Sequence, residues 1–153
     1  MKSLTPNMEM YLKTIFEITS DGEQPRVKLI AQRLGVTMPS VTGAIENLQF
    51  KELVEHTPYG DVKLTQKGRR IARQVKERND LIFRFLRDVL TLPATTASRD
   101  ACILEHVVSS KTLDRMSSFL RFTEEHKDEA SRVIGLYTEW LRHDGAVVDT
   151  IES

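Results

Sequence analysis

Residues of three metal-binding types occur in one short segment, 101–107, which holds the only cysteine of the 153-residue chain. If this segment is helical, Cys102, Glu105 and His106 stand at i, i+3 and i+4, so that a thiol, a carboxylate and an imidazole share one face. The alternative is a buried cysteine that packs as a small hydrophobe beside a surface Glu–His pair. The segment alone leaves both interpretations open. A fourth ligand from another part of the chain would favour the metal site.

The composition is typical of a globular protein, with 40% hydrophobic and 29% charged residues and no net charge. The first residues contain no apolar run of signal-peptide length, and no later segment approaches the roughly 20 apolar residues of a membrane helix. A single cysteine cannot form an internal disulfide, which agrees with a reducing compartment. We therefore predict a cytoplasmic protein without a membrane partner.

The charge is distributed unevenly between the two halves of the chain. Residues 1–75 carry 11 lysines and arginines against 8 acidic residues, and residues 76–153 carry 11 against 14. This difference permits a first half that binds nucleic acid, although a solvated surface of mixed charge gives similar counts.

Apolar residues at helical spacing predict three helices in the first fifty residues. These helices extend over about residues 6–19, 27–34 and 37–51. Thr5 is placed to cap the first helix, Gly35 closes the second, and Thr37 is placed to cap the third. The third helix has Val41, Ile45 and Leu48 on its inner face and small polar residues on its outer face. This is the helix-turn-helix pattern, in which the slim leading end of the second helix of the pair enters the major groove.

A hairpin is predicted next, with strands at 53–56 and 61–65 and a turn that contains Pro58 and Gly60. Thr65 then caps a long helix, which opens with the basic residues Lys67, Arg69, Arg70 and Arg73. A hairpin and a basic helix start after a helix-turn-helix together describe a winged helix. Simple solvation of an exposed helix end is the alternative explanation of the basic cluster.

The second half of the chain is predicted to be helical. The long helix carries too many apolar residues between 81 and 90 for one face of a small domain, so we expect burial on more than one side. Ser98 is placed to cap the helix that carries Cys102, and amphipathic helices follow around 113–120 and over 124–143. These helices together are predicted to form a dimer interface, and the last ten residues are predicted to fray.

Four motifs occur in order between Leu4 and Leu120. They are Glu9-Met10-Tyr11-Leu12, Leu53-Val54, Leu64-Thr65-x-x-Gly68-Arg69 and Ala101-Cys102-x-x-Glu105-His106-Val107. Together they resemble the diphtheria-toxin-repressor family of metal-dependent (iron or manganese) transcriptional repressors, in its short two-domain form without an SH3-like domain. The resemblance implies a mainly α protein. A winged helix-turn-helix DNA-binding domain is expected over residues 1–75, with a long linking helix at about 66–91. An all-helical dimerisation and metal-binding domain is expected over residues 76–153.

The resemblance also implies a metal site made by Met10, Cys102, Glu105 and His106. A thioether, a thiolate, a carboxylate and an imidazole form a mixed soft and hard donor set, which suits Fe(II) and also Co(II), Ni(II) or Zn(II). Mn(II) is disfavoured by the soft donors but not excluded. A second metal site of the family is expected to be absent, because Asn79, Phe83 and Ser98 stand at its ligand positions.

The resemblance and the predicted surface together give a set of DNA contacts. Thr37, Pro39 and Ser40 fit the family's contact positions, whereas Gly43 replaces a longer polar side chain. The complete predicted set is Lys28, Arg33, Thr37, Pro39, Ser40, Thr42, Gly43, Lys63, Lys67 and Arg69, of which the basic residues are expected to contact phosphates.

The expected function is that of a metal-activated regulator that binds an inverted-repeat operator in double-stranded DNA as a homodimer and represses metal-uptake genes. Two alternatives come from other classes. One is a winged-helix regulator without metal control that senses oxidation or a small ligand through Cys102. The other is a small metal-dependent hydrolase using Glu105 and His106, which is disfavoured because no second ligand cluster is suggested. We therefore predict neither catalysis nor a small-molecule substrate.

Overall fold

The computed structural model describes residues 4–57 and 60–144 and divides into two units, residues 1–77 and 78–153. The elements in chain order are α1 (Pro6–Ser20), α2 (Val27–Leu34), α3 (Met38–Phe50), β1 (Val54–His56), β2 (Val62–Leu64), α4 (Gln66–Arg84), a π-helical segment (Phe85–Val89), α5 (Ala94–Leu104), α6 (Ser110–Glu125) and α7 (Lys127–Asp144). The predicted fold class, mainly α with a winged helix-turn-helix first, is confirmed. The predicted turn residue Pro58 and the predicted fraying of the last ten residues, Asp144 excepted, lie outside the described residues.

Local signals set the limits of the first three helices. The Thr5 hydroxyl accepts a hydrogen bond from the Met8 amide at 3.3 Å, and the Thr37 hydroxyl accepts one from the Ser40 amide at 3.4 Å. Gly35 ends α2 in the left-handed conformation with φ at 64°, which a glycine adopts without steric cost. The predicted caps and the closing glycine are therefore confirmed.

Apolar residues of α1, α2 and α3 meet in the core of the first unit. Ile15, Ile30, Val41 and Leu48 are completely buried, and Ile45 is 1% exposed. Each such side chain contributes about 1.5–3 kcal/mol when removed from water. This core holds the inner face of α3, so the opposite face of that helix is the one left in solvent.

The wing is a two-stranded antiparallel hairpin, with Val54 opposite Leu64, Glu55 opposite Lys63 and His56 opposite Val62. Val54 and Val62 point into the core, and the alternation of a strand leaves Glu55 and Lys63 exposed. The Val62 amide donates to the Pro25 carbonyl at 2.8 Å. This bond fixes the wing to the loop that precedes α2.

Thr65 begins α4, as predicted. Its hydroxyl accepts a hydrogen bond from the Gly68 amide at 3.1 Å and donates one to the Glu52 carbonyl at 2.8 Å. The Thr65 amide donates to the Leu53 carbonyl at 3.1 Å. The two bonds to Glu52 and Leu53 attach the start of α4 to the end of the loop before β1. The α-helical part of this element ends at Arg84, because the backbone continues as a π-helical segment to Val89.

The second unit departs from the sequence prediction at two boundaries. Helix α5 begins at Ala94, directly after Pro93 and without a side-chain cap, so the prediction that Ser98 caps it is wrong. The predicted start of the last helix at Glu124 is also wrong. His126 leaves the helical conformation, with φ at −120° and ψ at 55°, so residues 124 and 125 belong to α6.

The core of the second unit joins the π-helical segment to α5. Ile82, Leu86, Ala97 and Ala101 are buried there, and partly buried apolar residues from α6 pack against them. Two alanines on α5 allow close approach of its backbone. The helix that carries Cys102 is thereby held by its alanine face.

Across residues 4–57 and 60–144, none of the helices combines the length and the apolar character needed to cross a membrane.

Candidate functional site

The leading turn of α3 is exposed to solvent. Thr37, Pro39, Ser40 and Thr42 are exposed, and Gly43 is partly exposed. An added Cβ at Gly43 would meet nothing within 4 Å. The predicted contact residues of this helix therefore lie together on one accessible surface, as entry into a major groove requires.

The hydroxyl groups of this surface are already hydrogen-bonded within the protein. The Thr37 and Ser40 hydroxyls lie 2.9 Å apart and share a hydrogen bond. The Thr42 hydroxyl donates to the Met38 carbonyl at 3.1 Å. The sequence predicted polar contacts from these residues, but their exchange for contacts to DNA would break bonds that the free protein makes.

Three of the predicted phosphate contacts line two different cavities. Lys28 and Thr42 line a groove of about 520 Å³ together with Met38 and His56. Lys63 and Arg69 instead line a second cavity of about 600 Å³. Three carboxylates line that second cavity as well, those of Glu23, Glu55 and Asp61. The positive charge at Lys63 and Arg69 is therefore partly offset by acidic neighbours.

Lys67 is exposed at the start of α4, where its ammonium group donates to the Lys51 carbonyl at 3.2 Å. Arg69, Arg70 and Arg73 follow on the same helix, and all three side chains are exposed. The basic helix start that the sequence predicted is thus at the surface of the first unit.

Arg33, for which the sequence predicts a phosphate contact, is paired with two carboxylates in the structure. Its guanidinium donates to Asp21 at 2.9 Å and to Glu23 at 2.6 Å. The hydrogen bond to Asp21, followed by the one to Glu23, raises the pKa of Arg33 above its ordinary value. The sequence missed this arrangement because the two acids precede Arg33 by about ten residues and reach it only through the fold.

We expect Lys28→Ala and Arg33→Ala to differ in their effect on DNA binding. A cation that contacts a phosphate releases counterions, so Lys28→Ala should reduce the slope of log affinity against log salt by about 1. Arg33→Ala should change the slope much less, because two carboxylates already neutralise its guanidinium. Fluorescence anisotropy with a labelled duplex at several salt concentrations measures both slopes. Equal losses of slope would contradict this assignment.

The predicted metal ligands of the second unit lie at the end of α5. Glu105 is the C-cap of α5, and its amide still donates to the Ala101 carbonyl at 3.0 Å, whereas His106 lies in the turn that follows. Glu105 Oε1 and His106 Nε2 are 3.4 Å apart. The Glu105 side chain is fully buried and that of His106 is 12% exposed. A carboxylate next to an imidazole is a suitable pair of metal ligands, because glutamate oxygens and histidine nitrogens both bind divalent transition metals.

The other two predicted ligands, Cys102 and Met10, lie on helices α5 and α1. Cys102 is of intermediate exposure on α5 and takes part in no disulfide. Within residues 4–57 and 60–144, no three His, Cys, Asp or Glu side chains are grouped closely enough to hold a metal ion. Met10 belongs to α1 of the first unit, where its partly buried side chain packs against the core. Of the three predicted ligands in the second unit, the structure places Glu105 and His106 next to each other.

Asn79, Phe83 and Ser98 stand at the positions where the family's second metal site would have its ligands. Asn79 and Phe83 lie on α4 and are partly buried, and Phe83 packs against the core of the second unit. Ser98 is exposed on α5. The loss of that site stays a prediction.

Apolar side chains remain exposed on α6 and α7. On α7, Val133, Leu136, Tyr137 and Trp140 follow one another at i, i+3, i+4 and i+7 and are 37–65% exposed. On α6, Phe119 and Phe122 are also exposed. Ile82 and Leu86, which belong to the apolar segment of the long helix, lie in the core of their own unit. The apolar surface suited to a partner is therefore on α6 and α7.

Two residues of the groove on the first unit were missed by the sequence analysis. Met38 is the first residue of α3 and is 54% exposed, and His56 ends β1 on the same groove. The sequence could have indicated Met38, because it directly follows the capping Thr37 and therefore begins the recognition helix. His56 carried no such signal, because only the pairing of the hairpin brings it to the groove.

Two family models match consecutive segments of the chain. Residues 3–62 match the iron dependent repressor N-terminal DNA binding domain. Residues 65–132 match the iron dependent repressor metal binding and dimerisation domain. Most of α7 lies beyond the matched segments.

Individual relatives agree with these matches. The chain is 32% identical over 120 residues to the diphtheria toxin repressor of Corynebacterium glutamicum, across 78% of this chain and 53% of that protein. It is also 32% identical over 120 residues to the iron-dependent repressor IdeR of Mycobacterium bovis, across 78% and 52%. The solved structure of the manganese regulator SloR is similar with a TM-score of 0.68 and 33% identity, over 78% of this chain and 55% of that one. The chain thus spans about half the length of these relatives.

Proposed function

Because this chain belongs to the iron-dependent repressor family, we propose that it is a metal-activated transcriptional regulator that binds an operator in double-stranded DNA as a homodimer. The observation that carries this proposal is the exposed leading turn of α3 on a winged helix, within the segment that matches the DNA-binding domain. The relatives are named as repressors, so repression of metal-uptake genes is the proposed outcome. The family is one of DNA-binding regulators, and we propose no catalytic role.

The proposed effector is a divalent transition metal held by Met10, Cys102, Glu105 and His106. The adjacent Glu105 and His106 side chains support the carboxylate and imidazole members of this donor set. The sulfur donors favour Fe(II), with Co(II), Ni(II) and Zn(II) as alternatives and Mn(II) as the least favoured. The match to a metal-binding domain favours this proposal over redox sensing by Cys102 alone.

When bound, the metal supplies a cation that holds ligands from both units. The proposed ligands belong to different units, since Met10 is in the first and the other three are in the second. A metal that binds all four stabilises whichever arrangement of the units allows them to meet. It activates DNA binding to the extent that its affinity for that arrangement exceeds its affinity for the others.

The proposed dimer reads two half-sites. Two recognition helices related by a two-fold axis contact half-sites about 34–36 Å apart or a multiple of this spacing. The exposed apolar residues of α6 and α7 support association of the second units. A monomeric mass by light scattering at micromolar concentration with Fe(II) present would contradict the dimer.

Selection of DNA from a random duplex pool tests the proposed function directly. We expect the purified protein to enrich an inverted repeat under anaerobic conditions with Fe(II), and to bind that repeat at least about tenfold more weakly after chelation. The same selection with oxidised and reduced protein, without metal, tests Cys102 as a redox switch. If DNA binding does not depend on metal but changes with the oxidation state of the protein, the redox alternative is correct and the proposed function is wrong.

Met10→Ala is expected to uncouple metal binding from DNA binding. Cys102, Glu105 and His106 remain, so metal affinity should fall less than the coupling between metal and operator, which is measured as the ratio of operator affinities with and without Fe(II). Met8→Ala is the matched control, because Met8 also packs partly buried against the core of the first unit. Both variants lose similar apolar contacts, but only Met10→Ala loses a proposed ligand. Equal coupling in the two variants would refute the role of Met10.

A further inference from the structure

The leading turn of α3 offers apolar groups to solvent as well as the hydroxyl groups that its sequence suggested. Thr37 and Ser40 hydrogen-bond each other, and the Thr42 hydroxyl is turned back to the Met38 carbonyl. A threonine whose hydroxyl bonds the carbonyl one turn earlier leaves its γ-methyl group as the remaining surface group. Gly43 adds no side chain. These hydroxyls keep lone pairs that can accept a hydrogen bond, and the γ-methyl groups and the exposed Met38 add hydrocarbon to the same surface.

Met38 is the largest of these apolar groups. It is 54% exposed, although it begins a helix whose other face is completely buried. A single exposed apolar residue needs no explanation by itself. Met38, however, lines the groove of about 520 Å³ whose other walls include Lys28, Thr42 and His56. An apolar side chain beside a lysine and at the tip of a recognition helix is suited to a ligand with both a phosphate and an apolar base edge.

We propose that Met38 is a specificity-determining residue that contacts the 5-methyl group of a thymine in the operator. Thymine is the only base with a methyl group in the major groove, and apolar side chains recognise it there. Methionine is flexible and polarisable, so it adapts to a methyl group at the groove floor. Lys28, on the same groove, then contacts the neighbouring phosphate. This inference rests on the proposed function, since it requires α3 to enter the major groove.

Replacement of thymine by deoxyuridine removes the methyl group and leaves every hydrogen bond of the base pair in place. The operator used is the inverted repeat enriched by the wild-type dimer with Fe(II), and each thymine of one half-site is replaced in turn. At one position per half-site we expect affinity for the wild-type protein to fall about fourfold, which corresponds to about 0.8 kcal/mol for one methyl group.

Variants of Met38 identify which side chain reads that methyl group. Met38→Ala should bind the thymine operator about as weakly as the wild type binds the deoxyuridine operator, and it should show no further loss with deoxyuridine at that position. Met38→Leu keeps an apolar side chain, so it should still bind the deoxyuridine operator more weakly than the thymine operator. Phe50→Ala is the matched control, because Phe50 is a 90% exposed apolar residue at the other end of α3. In Phe50→Ala, the loss of affinity on replacing that thymine by deoxyuridine should equal the loss in the wild type.

The outcomes separate this inference from the proposed function. If wild-type protein with Fe(II) enriches no sequence, both fail together. If an operator is enriched but the deoxyuridine penalty at every position is the same in Met38→Ala as in the wild type, the inference about Met38 alone is overturned. The same conclusion follows if no thymine shows a penalty. A penalty that disappears only in Met38→Ala supports it.

Discussion

His106→Ala is expected to abolish the metal-stimulated part of operator binding. The His106 imidazole lies 3.4 Å from the buried Glu105 carboxylate and is the only histidine among the four proposed ligands. Loss of groups that merely orient a ligand reduces metal affinity about 10–100-fold, and loss of the ligand itself should reach at least about 100-fold. At Fe(II) concentrations that saturate the wild type, the variant should therefore bind the operator no better than the metal-free protein.

Anaerobic titrations of metal and of labelled operator measure both affinities. His143→Ala is the matched control, because His143 is exposed in the last turn of α7 and is not a proposed ligand. Circular dichroism and light scattering establish that both variants keep the helical content and the mass of the wild type. Metal activation of His106→Ala at the wild-type level would refute the assigned site.

Gly68→Ala is expected to destabilise the first unit strongly. A Cβ at this position would lie 1.9 Å from the Leu53 carbonyl oxygen and 2.9 Å from its carbon. The obstacle is backbone, which cannot turn aside as a side chain does. The same oxygen accepts the hydrogen bond from the Thr65 amide, so separation of the two segments also breaks that bond. Overpacking and the lost bond together should lower the free energy of unfolding by about 3 kcal/mol.

Gly43→Ala provides a control of opposite sign. Gly43 is also helical, but an added Cβ there meets nothing within 4 Å. Alanine in place of a helical glycine should raise the free energy of unfolding by about 0.5–1 kcal/mol. Urea unfolding followed by circular dichroism measures both changes. Similar stability of the two variants would contradict the close approach of α4 to Leu53.

Signals that act over a few residues were readable in the sequence. Thr5 and Thr37 cap their helices and Gly35 closes α2, because each of these roles depends on a hydroxyl or a backbone angle within one turn. The spacing of apolar residues on α3 determined its buried face for the same reason. These local rules, together with the hairpin, were sufficient to predict the winged helix.

The tertiary structure decided what each candidate residue contacts. Arg33 looked like any surface cation, but the fold brings two carboxylates to it. Gly68 is part of a sequence motif, but the sequence does not show why a glycine is needed there. The structure gives the reason, because the Leu53 carbonyl, fifteen residues earlier in the chain, lies where a Cβ would be. Glu105 and His106 were placed on one helix by spacing, whereas in the structure Glu105 is the C-cap of α5 and His106 lies beside it in the following turn. The sequence determined which groups the chain carries and which helices hold them, because those depend on neighbours along the backbone. Their partners depend on contacts between distant segments, and only the packing of the elements decides those.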